Sequence, residues 1–340
     1  MANQHNSPKK AAKVKLLILL LLLPPVLGEL ISGSSPPLQF FNPFNILTLV
    51  LLYGCGTLLI RELKAGWKLQ WSVILLAIAY GIIEEGILVK SFFNPGWQDL
   101  GVLSGYGMYS GVQWPWTIML TFYHATISTL IPIAIAESLW PEYRDVPLLN
   151  KRGMVLAFTG ISLVSIWGMI FMGTQEGGKM VPYYPNPLLL IGSFAAVILL
   201  TWLAYRYRNS RISTDGGFLF PPLAFGAIGF LFQAVNLFIP NMLAESNVHS
   251  GITILVQFIG MAFALLFVIF QICHQKITTR HTVSLIFGSV LFFILLTPVH
   301  EFAENMNPDP TQGMLITGII SLILLIIWRH TILKKERIKG

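Results

Sequence analysis

An all-α, polytopic transmembrane helix bundle of about ten spans is what this sequence predicts, and three observations predict it. Only 11% of the 340 residues are charged and 54% are hydrophobic, with a mean hydropathy of +0.69. A soluble domain carries about 25% charged residues, so too few charges exist here to cover a water-exposed surface. Apolar windows of about 20 residues, the length that crosses a bilayer as a helix, recur along the whole chain. The cations, in turn, sit in short clusters between those windows, which is the positive-inside pattern of membrane proteins.

The spans read as 16–33, 44–62, 71–93, 114–138, 153–173, 187–206, 217–240, 250–273, 281–299 and 313–329. With the amino terminus inside, all but two of the 22 lysines and arginines fall on the inner side. The two exceptions are Lys90 and Lys179. One missed span would invert every later loop and destroy this division, so the split predicts that both termini are cytoplasmic. Trp67, Trp71, Trp140, Trp202 and Trp328 fall near the inner edge, and Trp97, Trp114 and Trp116 near the outer edge. Indole favours such interfaces because its ring is apolar and its N–H needs a wet partner.

Residues 1–15 form a basic tail, 16–329 a single membrane domain, and 330–340 a second basic tail. The opening basic and leucine-rich stretch resembles a signal peptide but lacks an obvious small-residue cleavage site, so it is read as an uncleaved span in the cell (inner) membrane. A net charge of +7 does not imply nucleic acid here, because the cations are dispersed among the loops. No phosphate-binding glycine loop or haem motif occurs, and no cofactor is expected. Cys55 and Cys273 make neither a disulfide framework nor a cysteine zinc site. The expected partners are the bilayer and a small solute or ion. Asn42-Pro43 before Arg61 echoes Asn186-Pro187 before Arg206, which reads either as a weak internal repeat or as the arginine expected at the inner end of every outside-to-inside span.

The polar residues inside the spans carry the functional signal. Glu84 lies about 20 Å into the third span at 1.5 Å per residue, past the midplane. A carboxylate at that depth is costly and marks a functional site. Glu85 adds repulsion, so the pair needs a proton or a cationic partner. In the fourth span Thr117, Thr121, His124 and Ser128 form one helical stripe, with His124 at a depth close to that of the Glu pair. Glu84 or Glu85 is expected within direct or one-water reach of His124, because these spans are consecutive and antiparallel. Glu84 and Ser91 share a helical face, and Lys90 reads as a snorkelling side chain at the outer edge.

Weaker stripes place Gln233 and Asn236 on the seventh span and Gln257 on the eighth. Together with the first stripe they predict a water-accessible interior. Glu29, Asp99, His300, Glu301 and Glu304 fall at the outer mouth. His300 and Glu304 have the i, i+4 spacing of a metal pair, but no third ligand is identifiable.

The intramembrane Glu-Glu, a later span His and a final His segment resemble, in degenerate form, the CAAX-protease-like intramembrane proteases. Those carry Glu-Glu-x-x-x-Arg, Phe-x-x-x-His and His-x-x-x-Asn/Asp. Here Lys90 stands one position late, Leu120 replaces the Phe before His124, and His300 is followed by Glu304. The stretch Gly81 to Pro95, with Gly28-Glu29 and Arg61-Glu62, is more similar to a group of uncharacterised bacterial multi-spanning proteins. That resemblance implies no activity.

Three functions compete. A small-solute or ion permease, proton-coupled through the buried carboxylates, leads. An intramembrane hydrolase using Glu84 or Glu85 with His124 is the second. The third is a structural subunit, which would pack its polar stripes together and leave no cavity.

Overall fold

The computed structural model describes residues 6–177, 179–213, 217–303 and 309–339. Among these, nine helices are long and apolar enough to cross a membrane. They are α1 (Lys10–Leu30), α2 (Pro43–Trp67), α4 (Trp114–Leu139), α5 (Lys151–Phe171), α6 (Pro187–Arg206), α7 (Pro222–Glu245), α8 (Ser250–Ile272), α9 (Thr279–Phe302) and α10 (Met314–Ile338). The expected third span is shorter. Helix α3 comprises Val73–Ile82 and the π-helical turn Ile83–Leu88, about 24 Å at 1.5 Å per residue against a hydrocarbon core of about 30 Å.

The reason for the short α3 is local. The chain leaves the helix at Val89 and takes a left-handed conformation at Lys90 (φ 65°). That turn aims the Lys90 side chain inward, where Nζ donates to the Met169 and Met172 carbonyl oxygens at 2.8 and 2.7 Å. Met169 lies in the last turn of α5 and Met172 just beyond it, at a helix C-terminus where a cation is favoured. Lys90 is fully buried, which corrects its reading as a snorkelling residue. Ser91, beyond the helix end, donates to Glu85 rather than sharing a face with Glu84. The seventh span is also displaced, since Pro221 and Pro222 set its start.

Helix starts follow their caps. Asn42 and Asn186 each accept from the backbone N–H two residues on, with proline at the first helical position, the arrangement that proline's fixed φ and missing N–H favour. The Asn-Pro echo in the sequence therefore has a local cause in two like helix starts.

The loops sort by contact into two faces. On one, Asn94 meets Thr174, Tyr183 reaches Phe93, and Tyr106 bonds Val248. Hairpins β1 (Met108–Tyr109) with β2 (Val112–Gln113), and β3 (Gly173–Glu176) with β4 (Lys179–Pro182), lie there. On the other, Arg61 bonds Tyr143 and Val146, Trp67 packs on Tyr205, and Lys335 reaches Leu139. Helix α3 connects the two faces despite its length.

Helix α4 is the hub. It packs against α1, α2 and α3 on one side and α7, α8 and α9 on the other, and 72% of its central window is buried against 11% for α6. One apolar core gathers around α1 to α4, and a second joins α4 to α9 and α10.

Candidate functional site

Four π-helical turns meet at one level of the bundle: Val26–Leu30 in α1, Val50–Gly54 in α2, Ile83–Leu88 in α3 and His124–Leu130 in α4. Each carries a polar residue of one cluster. They bring Glu29, Tyr53, Glu84 with Glu85, and His124 with Ser128. A π-turn widens the helix and re-aims a side chain, and such turns concentrate at functional sites. The packing is tight enough to require glycine at residue 28. A Cβ there would stand 2.8 Å from Ser128 Oγ and 2.9 Å from the Tyr53 ring.

His124 lies between the two carboxylates. Its Nε2 is 3.0 Å from Glu85 Oε1 and its Nδ1 is 3.1 Å from Glu84 Oε2. Nδ1 also stands 3.1 Å from Ser128 Oγ. Glu84 and His124 are each 2% exposed. The other Glu85 oxygen accepts from Ser91, which in turn accepts from the Trp116 indole at 2.9 Å. Glu85 is thus held from both sides. Glu84 meets the shared imidazole through Oε2, which has no other partner in hydrogen-bond geometry among the described residues. The Tyr53 and Tyr80 rings flank it, and Tyr53 donates its hydroxyl to Glu29, which also accepts from Ser35 at 2.7 Å.

A cavity of about 260 Å³ lies over this cluster. Glu29, Glu84, Glu85, Tyr53 and His124 line its floor, and Trp97, Asp99, Trp167, Gln175 and Asp309 its mouth. It opens toward the hairpin face, opposite the face that carries the ends of the described chain. Asp99 is exposed at the rim. Even so, the protein mass around it, and then the charges of Glu29 and Glu85, push its carboxyl up to about 7. The ligand atoms of Glu84, Glu85 and His124 lie within 4.8 Å of one another, three donors of a type that zinc accepts.

Other expected site residues lie apart. Thr121 backs onto Gly81 and joins α3 to α4 without lining the cavity. Asn236 donates to the Met119 carbonyl at 2.9 Å, Gln257 to the Pro115 carbonyl at 3.1 Å, and Gln233 to Thr126 Oγ1 at 3.1 Å. These three stitch α7 and α8 to α4, so the stripes do not form the wide wet interior expected of them. His300 packs against Gly33, and Glu301 accepts from the Leu315 N–H, both away from the cavity lining. Glu304 lies outside the described residues. Tyr53 and Tyr80 were not singled out in the sequence. Their signal is a tyrosine well inside an apolar span, whose buried hydroxyl needs a partner.

At the opposite end of the same helices is a second charged cluster. Arg61 pairs with Glu62 at 2.6 Å and donates to the Tyr143 and Val146 carbonyls. Glu62 accepts from the Leu148 and Leu149 N–H groups, both at 2.8 Å. Lys64 pairs with Glu137 at 2.7 Å.

Fold and site together define a polytopic helical membrane protein with a buried Glu–His–Glu cluster under a cavity. The chain belongs to an uncharacterized membrane protein family, whose model matches residues 18–336. No curated protein and no solved structure matches it.

Proposed function

We propose that the protein is a membrane-embedded hydrolase of the cell membrane, with both termini inside, its cavity facing outward, and a water activated at Glu84. The observation that carries this is the placement of both His124 nitrogens within 3.1 Å of carboxylate oxygens, under a cavity that Glu84 lines. A general base must stand within about 3 Å of the proton it takes, or one water away. Glu84 takes the water proton, the resulting hydroxide attacks an acyl carbonyl, and Glu84 returns the proton to the leaving group. Glu85, fixed by Ser91, orients His124, whose Nδ1 stands against the Glu84 carboxyl that takes the proton. If an ion fills the three-donor group, it supplies Lewis-acid polarisation of the same carbonyl.

The tie-off of Gln233, Asn236 and Gln257 on α4 favours this reading over a permease, because the polar residues of α7 and α8 then line no path. A second reading, a proton-coupled permease, draws on one observation. The cavity lies toward one end of α2 and α4, and the charged cluster at Arg61 and Glu137 lies at the far end like a closed gate.

Incubation of protein-bearing membranes in H₂¹⁸O tests both readings. The hydrolase incorporates ¹⁸O into newly formed carboxylates of membrane peptides or lipids, and Glu84→Gln abolishes this. Equal incorporation by Glu84→Gln overturns the reading. Proton flux in proteoliposomes that is lost in Glu84→Gln, without ¹⁸O uptake, establishes the permease.

A further inference from the structure

Among the described residues, the cavity lining holds more carboxyls than basic groups. Five carboxyls line it: Glu29, Glu84, Glu85, Asp99 and Asp309. The basic lining is His124 alone, already placed against Glu84 and Glu85. No lysine or arginine lines it among the described residues, and Lys90 is turned away onto α5. A buried carboxylate without a partner costs free energy unless it takes a proton or a cation. Glu84, 2% exposed, lines the cavity with one basic neighbour there among the described residues, the imidazole it shares with Glu85.

The walls add a second and independent feature. Trp97, Trp116 and Trp167 line the same cavity. Indole faces attract ammonium groups through the ring quadrupole, most strongly where water is excluded. A hard divalent ion gains nothing from those rings, whereas an alkylated ammonium gains from both the rings and the carboxylates. The volume of about 260 Å³ suits a headgroup rather than an entire lipid, so an apolar remainder would lie outside the mouth.

We infer that the cavity recognises a substrate through an ammonium group, seated between the indoles and the acidic rim above Glu84. This rests on the cavity being the substrate site of the proposed hydrolase, and names the substrate class as ammonium-bearing amphiphiles.

The test is calorimetric titration of the full chain in phosphatidylglycerol nanodiscs, which contain no competing ammonium lipid. The probes are choline and 3,3-dimethyl-1-butanol, which has the same shape without the charge. Choline should bind at least about 10-fold more tightly than the alcohol, as a desolvated cation–π site implies. Asp99→Asn and Trp97→Leu should each weaken choline, and Trp97→Tyr should retain most of the affinity. Equal binding of the two probes, or binding of Zn²⁺ or Mn²⁺ but not choline, overturns the inference. So does indifference to both mouth variants. The two proposals fail separately. Choline binding without ¹⁸O incorporation keeps the ammonium site and removes the hydrolase, while the reverse keeps the hydrolase and removes the substrate class.

Discussion

Two buried charged clusters occupy opposite ends of α2 and α4, and they differ in how completely their charges are met. At the Arg61 end, three cations, Arg61, Lys64 and Arg144, face the carboxylates of Glu62 and Glu137, and Glu62 also accepts from two backbone N–H groups. It holds the 143–149 segment against α2. At the Glu84 end, carboxyls outnumber the one imidazole that Glu84 and Glu85 share, and they line the cavity above it. Burial of charge by itself does not separate structure from function. The balance of charge does, because carboxylates matched by cations have little left to offer a charged ligand.

The comparison is broken first by stability. Arg61→Ala strands the Glu62 carboxylate, and removing one partner of a buried pair costs about 3–5 kcal/mol. Thermal unfolding in detergent should show that loss. Glu84→Gln should unfold at or above the wild-type temperature, since it removes a charge that has no full set of partners. A large loss in Glu84→Gln would make both clusters structural.

A smaller effect sharpens the electrostatic half of the comparison. Asp99, pushed up to about 7, is neutral below that pH and charged above it. The groups that face it are Glu29, Glu85 and Asp309, with Trp97 donating to it. Choline affinity should therefore rise several-fold as pH climbs through about 7, about the 1 kcal/mol expected of one rim charge. Asp99→Asn should flatten the step, and a step that survives it points to another group.

The smallest effect concerns the polar stitches. Asn236→Leu should cost about 0.6 kcal/mol, the average for such bonds in membrane helices. It should leave choline affinity unchanged, because Asn236 touches the α4 backbone and not the cavity. Loss of choline binding in this variant would bring α7 back into the site.

Much of this was legible in the sequence, and the reasons differ by residue. The spans follow from hydrophobic length and cation clusters, both properties of composition. Depth counting along two antiparallel helices was enough to bring Glu84, Glu85 and His124 to one level. The π-turns were not legible, because a single widened turn needs no special residue and is decided by packing between helices. They bring Glu29 and Tyr53 in from α1 and α2. Lys90 was misread because snorkelling assumes that the helix continues, and the chain instead turns at that residue. Gln233, Asn236 and Gln257 had the right period but an unknowable facing, since a polar stripe lines a path or stitches a neighbour with the same spacing.

The most direct test of the central claim, that Glu84, Glu85 and His124 act as one acid–base unit, is a double-mutant cycle on the rate of ¹⁸O incorporation. Glu85→Gln and His124→Ala should each lower the rate by about 10²- to 10⁴-fold, the usual contribution of a positioned acid or base. Groups that act as a unit are strongly non-additive, so the double variant should be no slower than the worse single one. Losses that multiply in the double variant, or a His124→Ala protein that keeps the wild-type rate, would contradict the account.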